Sequence, residues 1–442
     1  MTTRRSFIKK TTAGTAAVTL GGLTLPSMGY GKILGANDHI NCATIGIRSR
    51  AKAHVKAINA DPNAKILYSC DVDDVIIAEH NAWCQKEIGY VPKVAKDFRK
   101  MLEDKDVDAV FIATPEHWHA PMAIMALQAG KHVYVEKPCA HNPHEVDLLV
   151  AAQKKYGKKV QMGNQQRSAR TSIQAIDDIR NGIIGNVYKG EAYYSNNRGS
   201  IGIGKKIDVP KTLDWDLWQG PAPRRDYKDN IHPYNWHWFR NWGTGEMHNN
   251  GTHEIDICRW ALGVDLPQRV ASFGGKYTFD DDWEFADNQQ VTYEFANDKF
   301  ITWTGHSRGV IKPDRPGRGI TIYGSKGSIM LDRNFYKLFD LQGNQLKEEL
   351  EGAVSATTNT MGEGQLDVNH VANFFNAIRK DESLNAEIKD ASISTMLCHL
   401  GNMAQDAGES LKVDPTTGKV LNNEKAMASW KREYANGWEP KL

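Results

Sequence analysis

Short apolar runs separated by stretches of helical spacing fill the first third of the chain. Residues 39–46 are apolar enough for burial on both faces, and residues 51–59 follow with helical periodicity. Residues 65–70 then 75–86, 107–114 then 121–130, and finally 132–136 repeat the arrangement. Strands of this kind alternating with helices predict parallel βαβ units, with helices on both faces of one sheet. Beyond about Val160 the runs lengthen and alternate with period two, at 187–194 and 269–279. Residues 289–295 and 300–306, around Asn297-Asp298, predict a hairpin, and so do 320–323 and 328–331 around Ser325-Lys326-Gly327. Helices at about 367–379 and 391–410 close the chain. The expected fold class is α/β: a doubly wound parallel sheet over 37–160, then an α+β domain over 161–442 with an open, mainly antiparallel sheet. The closing helices are expected to pack on one or both domains.

A length of 442 residues agrees with two domains, and 40% apolar against 24% charged residues gives enough material for sizeable cores. The net charge of +2 offers no basic surface for a phosphate backbone, so a nucleic-acid partner is not expected. The six cysteines form no Cys-x-x-Cys pair and several fall in apolar runs, which predicts buried free thiols. Thr3-Arg4-Arg5-Ser6-Phe7-Ile8-Lys9 resembles a twin-arginine signal, with a weakly apolar stretch over 13–25 behind it. That stretch is too short and glycine-rich for a membrane span, and no transmembrane segment is expected once a leader over 1–36 is removed. Twin-arginine substrates cross the membrane folded, so thiols buried before export agree with a periplasmic location.

The first βα turn of a doubly wound sheet is where helix N–H groups meet a dinucleotide pyrophosphate. Gly46 stands at that turn, while Arg48 and Ala51 occupy the later positions of G-x-G-x-x-G/A. Asp71, 25 residues after Gly46, ends the second strand where a carboxylate meets a ribose 2′-OH and repels a 2′-phosphate. NAD is therefore expected over NADP in a Rossmann domain.

Ala113-Thr114-Pro115-Glu116-His117-Trp118-His119, Val135-Glu136-Lys137-Pro138 and the segment Gly243 to Asp256 together resemble the Gfo/Idh/MocA oxidoreductases, the glucose–fructose oxidoreductase and inositol dehydrogenase family. Ile322-Tyr323-Gly324-Ser325-Lys326-Gly327-Ser328 is similar to that family's second-sheet motif. The resemblance implies that Thr114, Pro115, His117, His119, Glu136 and Lys137 approach the cofactor, with Gly46, Arg48 and Asp71. It also implies catalytic roles for Lys137, His253 and Asn249. Asn249 stands where the family has an aspartate, and an amide cannot stabilise an imidazolium by charge, so His253 is expected to stay neutral. Open sheets in this family commonly associate, which implies a homodimer or homotetramer.

The chemistry is consistent with those positions. Oxidising a secondary alcohol needs a base that accepts the hydroxyl proton and a cation that stabilises developing alkoxide charge; His253 and Lys137 supply them. Five of twelve tryptophans lie between Leu213 and Trp242, beside His232, Tyr234 and His237. Aromatic faces beside polar groups suit a pyranose or an aromatic core. Trp236, His237, Trp238, His248 and Arg167 are assigned to the substrate. The His117-x-His119 pair lacks the further ligands of a metal site, and none is expected.

The function expected is an exported oxidoreductase that turns a ring hydroxyl of a sugar or glycoside into a ketone. Since the periplasm holds no NAD pool, the dinucleotide would be carried tightly bound and recycled. A glycoside hydrolase using transient oxidation at C3 and elimination, similar to α-N-acetylgalactosaminidases of this superfamily, is the alternative. A non-catalytic sugar-binding scaffold is the second alternative, suggested by Arg48 and Asn249.

Overall fold

The computed structural model describes residues 38–309, 317–351 and 365–442. The leader and its twin-arginine motif lie outside the described residues.

Six strands, β1 (Ile40–Ile45), β2 (Ala64–Cys70), β3 (Lys93–Ala95), β4 (Ala109–Ile112), β5 (His132–Val135) and β6 (Val160–Met162), form one parallel sheet in the order β3-β2-β1-β4-β5-β6. The intervening helices are α1 (Arg50–Asn59), α2 (Asp74–Glu87), α3 (Phe98–Leu102), α4 (His119–Gln128) and α5 (Pro143–Tyr156). Two helix starts follow from side-chain caps: Asp73 accepts from the Val75 N–H at 2.9 Å and Asn142 from the Glu145 N–H at 3.1 Å. Strand order reverses between β1 and β4, so a crevice opens outside their C-terminal ends, at Gly46 and Ala113.

The second sheet follows α6 (Arg170–Arg180) with β7 (Val187–Asn197), and then α7 (Trp215–Gln219), α8 (Glu246–Asn249) and α9 (Gly251–Leu262) intervene. Its other strands are β8 (Arg269–Gly275), β9 (Asn288–Glu294), β10 (Phe300–His306), β11 (Arg308–Gly309), β12 (Arg318–Gly324), β13 (Gly327–Leu331), β14 (Phe335–Phe339) and β15 (Gln345–Leu350). After α10 (Gln365–Lys380) and α11 (Ile388–Ala407), β16 (Leu411–Val413) and β17 (Val420–Leu421) complete it. The order is β15-β14-β13-β12-β7-β10-β9-β8-β16-β17, with β11 paired to β7.

Both expected hairpins form, with Ile301 facing Tyr293 and Ile322 facing Ile329. One pairing departs from the antiparallel pattern. β7 lies parallel to β10, because α7, α8 and α9 carry the chain away before it returns to the sheet. β15, with its polar and exposed residues, gives too weak an alternation to be read as a strand.

Alternation places every second residue of β10 in the core, where α9 packs on β7, β10 and β12, and α11 packs on β8 and β9. Helices α10 and α11 also turn back to the parallel sheet. Phe374 and Phe375 of α10 meet Phe111 of β4 edge-on, at ring centroids of 5.8 and 6.1 Å, and Phe111 stacks on Tyr134 at 5.1 Å. Residues 40–442 are thereby one compact unit, and all six cysteines are buried free thiols. Among the described residues no helix is long and apolar enough to cross a membrane.

Candidate active site

A cleft open to solvent runs from the β1 and β4 ends to α8 and α9.

At one end, Gly46 has φ +78°, and a Cβ there would lie 2.6 Å from the Thr114 backbone nitrogen. Only glycine lets β1 turn this close to β4. Asp71 receives backbone N–H bonds from Ile47 (3.0 Å), Val72 (2.8 Å) and Asp73 (3.2 Å). Burial nonetheless outweighs these donors and raises its carboxyl to about 6. Thr114 adds a buried hydroxyl without a partner among the described residues, and Arg48 stands exposed at the mouth. A glycine-cradled turn, a strand-end carboxylate and an orphaned hydroxyl fit a dinucleotide.

Toward the middle of the cleft, His119 holds two loops together, its ring nitrogens 2.8 Å from the Thr114 carbonyl oxygen and 2.6 Å from that of Pro138. Glu136 receives hydrogen bonds from Arg50 Nε (2.7 Å) and Gln165 Nε2 (3.0 Å) and lies 2.9 Å from His54 Nε2. Burial opposes its charge, but Arg50 and His54 hold the carboxyl well below its usual range. Gly163 leaves room for it, since a Cβ would come within 2.7 Å of Glu136 Oε2. Arg50 also pairs with Asp367 of α10, which fixes α1 to that helix.

At the other end Lys137 Nζ donates to the Asn249 backbone oxygen at 2.6 Å and to its Oδ1 at 3.3 Å. Asn249 Nδ2 in turn donates to Glu246 at 3.3 Å, and Glu246 pairs with Arg198 at 2.7 Å. The amide thus links a cation to a carboxylate, which an aspartate could not do. Burial lowers the lysine and raises Glu116 to about 7, while the attraction between the two opposes both shifts; Thr244 also donates to Glu116. His253 is 4% exposed and lines the cleft, and its ring makes no hydrogen bond among the described residues. Burial, then the charges of Arg333 and Lys137, hold it well below its ordinary value, so the imidazole is neutral. Trp236 and His237 form one wall, their rings stacked at 3.5 Å and 19°.

The structure thus brings Gly46, Arg48, Asp71, Thr114, Pro115, His119, Glu136, Lys137, Trp236, His237, Asn249 and His253 to one cleft. Four expected residues lie elsewhere. His117 turns inward, with Nε2 2.9 Å from the Trp218 carbonyl oxygen, while His248 lies within 4.2 Å of the His399 ring. Neighbours on a helix point about 100° apart, so Asn249 facing the cleft turns His248 away. Trp238 is stacked on Trp283 at 3.7 Å, and Arg167 is held by Asp256 at 2.7 Å and by Asp390. Trp215 and Trp242 belong to an aromatic core, whereas Trp218 and Trp236 reach the cleft.

Glu116, Arg50, Glu246 and Arg333 were not singled out from the sequence. Glu116 and Glu246 lie inside the family-like segments, whereas Arg333, in the β13–β14 turn, carries no sequence signal. Among the described residues no group of three His, Cys, Asp or Glu side chains is placed to hold a metal.

Residues 40–164 match the oxidoreductase family with an NAD-binding Rossmann fold, and residues 173–330 match the GFO/IDH/MocA C-terminal domain. Glycosyl hydrolase family 109 protein 2 of Shewanella sp. (strain ANA-3) is 30% identical over 247 residues, 52% of this chain and 52% of that protein. The chain therefore spans about half the length of the curated relatives it matches. The fold is similar to that of levoglucosan dehydrogenase in complex with NADH and levoglucosan (TM-score 0.67, 19% identity, 85% of this chain and 99% of that one). It is also similar to aldose–aldose oxidoreductase from Caulobacter crescentus (TM-score 0.64, 17% identity, 85% and 100%).

Proposed function

The chain belongs to the Gfo/Idh/MocA family of NAD-binding oxidoreductases, and from that premise we propose that it oxidises a ring hydroxyl of a sugar or glycoside to a ketone. The observation that carries this reading is the buried His253 imidazole, without a hydrogen bond among the described residues, in the same cleft as the Lys137–Asn249 contact.

NAD, when bound, supplies the hydride acceptor. Gly46, Thr114 and Asp71 would hold it at the mouth of the parallel sheet. His253 accepts the hydroxyl proton, which a neutral imidazole can do and an imidazolium cannot. Lys137 donates to the same oxygen and stabilises its developing charge, its ammonium aimed by the Asn249 carbonyl oxygen. Glu116 lies close enough to offset part of the lysine's burial. Trp236 and His237 offer a flat face to the sugar ring.

Export through the twin-arginine pathway belongs to the same proposal, on the strength of Arg4-Arg5. An exported enzyme would retain its dinucleotide tightly, since it has no pool to draw on. A second reading is favoured by the curated relative named as a family 109 glycosyl hydrolase. In that reading the same His253 and Lys137 begin a redox cycle that ends in hydrolysis and returns the hydride.

Adding sugars and glycosides to NAD-loaded protein and following reduced-nicotinamide absorbance tests the shared first step. At least one glycoside should reduce the bound cofactor; no reduction with any of them would contradict both readings.

A further inference from the structure

Buried guanidinium groups are expected to sit against carboxylates, because an unmatched charge in a protein interior is disfavoured. Five described arginines are less than a tenth exposed: Arg167, Arg259, Arg308, Arg318 and Arg333. Four of them hold a carboxylate within 3.0 Å: Asp256 for Arg167, Asp390 for Arg259, Asp281 for Arg308 and Glu254 for Arg318. Arg333 holds none among the described residues. Its Nε is buried without a hydrogen-bond partner, and the side chain lines the cleft together with His253 and Lys137.

The geometry points to Arg333 as the receptor for an acidic group on the substrate, so that the sugar oxidised here is a sugar acid or its glycoside, its carboxylate held by the Arg333 guanidinium. This inference rests on the sugar-oxidising reading above and narrows its substrate class. The planar fork of a guanidinium matches a carboxylate with two parallel hydrogen bonds, which a neutral hydroxymethyl cannot accept in that form. Arg318 does not compete for the ligand, since Glu254 already receives its bonds at 2.7 and 3.0 Å. Burial, then the charge of Arg318, lowers the Arg333 guanidinium to about 9. It is thus charged near neutral pH, yet would gain from an anion. Neither Asp367 nor Glu254, the nearest acidic influences on it, reaches it as an ion pair. A phosphate or sulfate ester on the sugar would offer the same oxyanion chemistry from a different source.

The test uses the full chain loaded with NAD and two matched probes, methyl glucuronide and methyl glucoside, with glucose 6-phosphate as a third arm. Thermal melting reads binding without turnover. The glucuronide should raise the melting temperature more than the glucoside, and R333Q should abolish that difference while R333K keeps part of it. In turnover, kcat/KM should favour the glucuronide by about tenfold or more, the scale of a charge-assisted bidentate pair, and the preference should collapse in R333Q. Preference for the phosphate over the glucuronide would overturn the carboxylate assignment. So would equal stabilisation by the two methyl glycosides, or a difference that survives in R333Q. R333Q without ligand should melt no lower than the parent, since it removes an unmatched buried charge; a lower melting point would mean that the guanidinium has a protein partner and would overturn the proposal. Loss of NADH affinity in R333Q equal to the loss of glucuronide affinity would assign Arg333 to the cofactor instead. If no probe reduces NAD but the Arg333-dependent melting shift appears, Arg333 remains the carboxylate receptor and it is the hydride-transfer reading that fails.

Discussion

Lys137 Nζ lies 2.6 Å from the backbone carbonyl oxygen of Asn249, a contact that joins the loop after β5 to the short helix α8 across 112 positions of sequence. The lysine is therefore aimed by the backbone, and the Asn249 side chain is free to bridge toward Glu246. N249D would set a second carboxylate beside Glu246 and remove the amide donor. We expect N249D to lose about 1 kcal/mol of stability, because a like charge is set beside the buried Glu246 carboxylate, measured by denaturant unfolding. A variant as stable as the parent would mean that the amide bridge carries no weight.

Glu116 should leave two opposite marks on pH dependence. Burial raises it from 4.5 to about 7, so the native state holds its proton more firmly than the unfolded chain does. The stability this contributes is present below about pH 4.5 and is lost as pH rises through 7. Melting temperature should therefore fall across that window in the parent and fall less in E116Q. Turnover should rise over the same window, because ionised Glu116 supports the charge on Lys137, and E116Q should lose that acid limb.

The elements were legible where burial has a simple period. The buried β1, β2, β4 and β5 and the alternating β9 and β10 read directly from their residues, and the spaced motifs located Gly46, Lys137, Asn249 and His253. What sequence could not supply was direction. His117 and His119 lie two residues apart, yet one turns to Trp218 and the other lines the cleft, a choice made by the packing of α7. Arg50 meets Asp367 across 317 positions, and Arg333 becomes a buried charge only through the closing of the second sheet on the cleft. Long-range placements of this kind have no periodicity to reveal them.

Asp71 should control cofactor choice in a pH-dependent way. Its carboxyl, raised by burial to about 6, is ionised above that pH and then repels a 2′-phosphate. The preference for NAD over NADP should be larger at neutral pH than below about pH 6. In D71N that preference should shrink by about tenfold or more, with a flatter pH dependence, read as dissociation constants by fluorescence titration. An unchanged preference would remove Asp71 from the cofactor site.

Export is tested by the leader itself. Replacing Arg4 and Arg5 together by lysine should hold the full chain in the cytoplasmic fraction of expressing cells, whereas the parent should reach the periplasm. Equal periplasmic recovery of both would contradict a twin-arginine route.

The central claim is that His253 and Lys137 serve a net oxidation of the sugar, and the mass of the product tests it most directly. NAD-loaded protein incubated with neutral and acidic glycosides should yield a glycoside lacking two hydrogens with its glycosidic bond intact. H253A and K137A should slow its formation by about 100-fold or more, the scale of general acid–base catalysis, while melting like the parent. Free aglycone and free sugar, with no keto-glycoside formed, would contradict the account and assign the chain to redox-assisted hydrolysis.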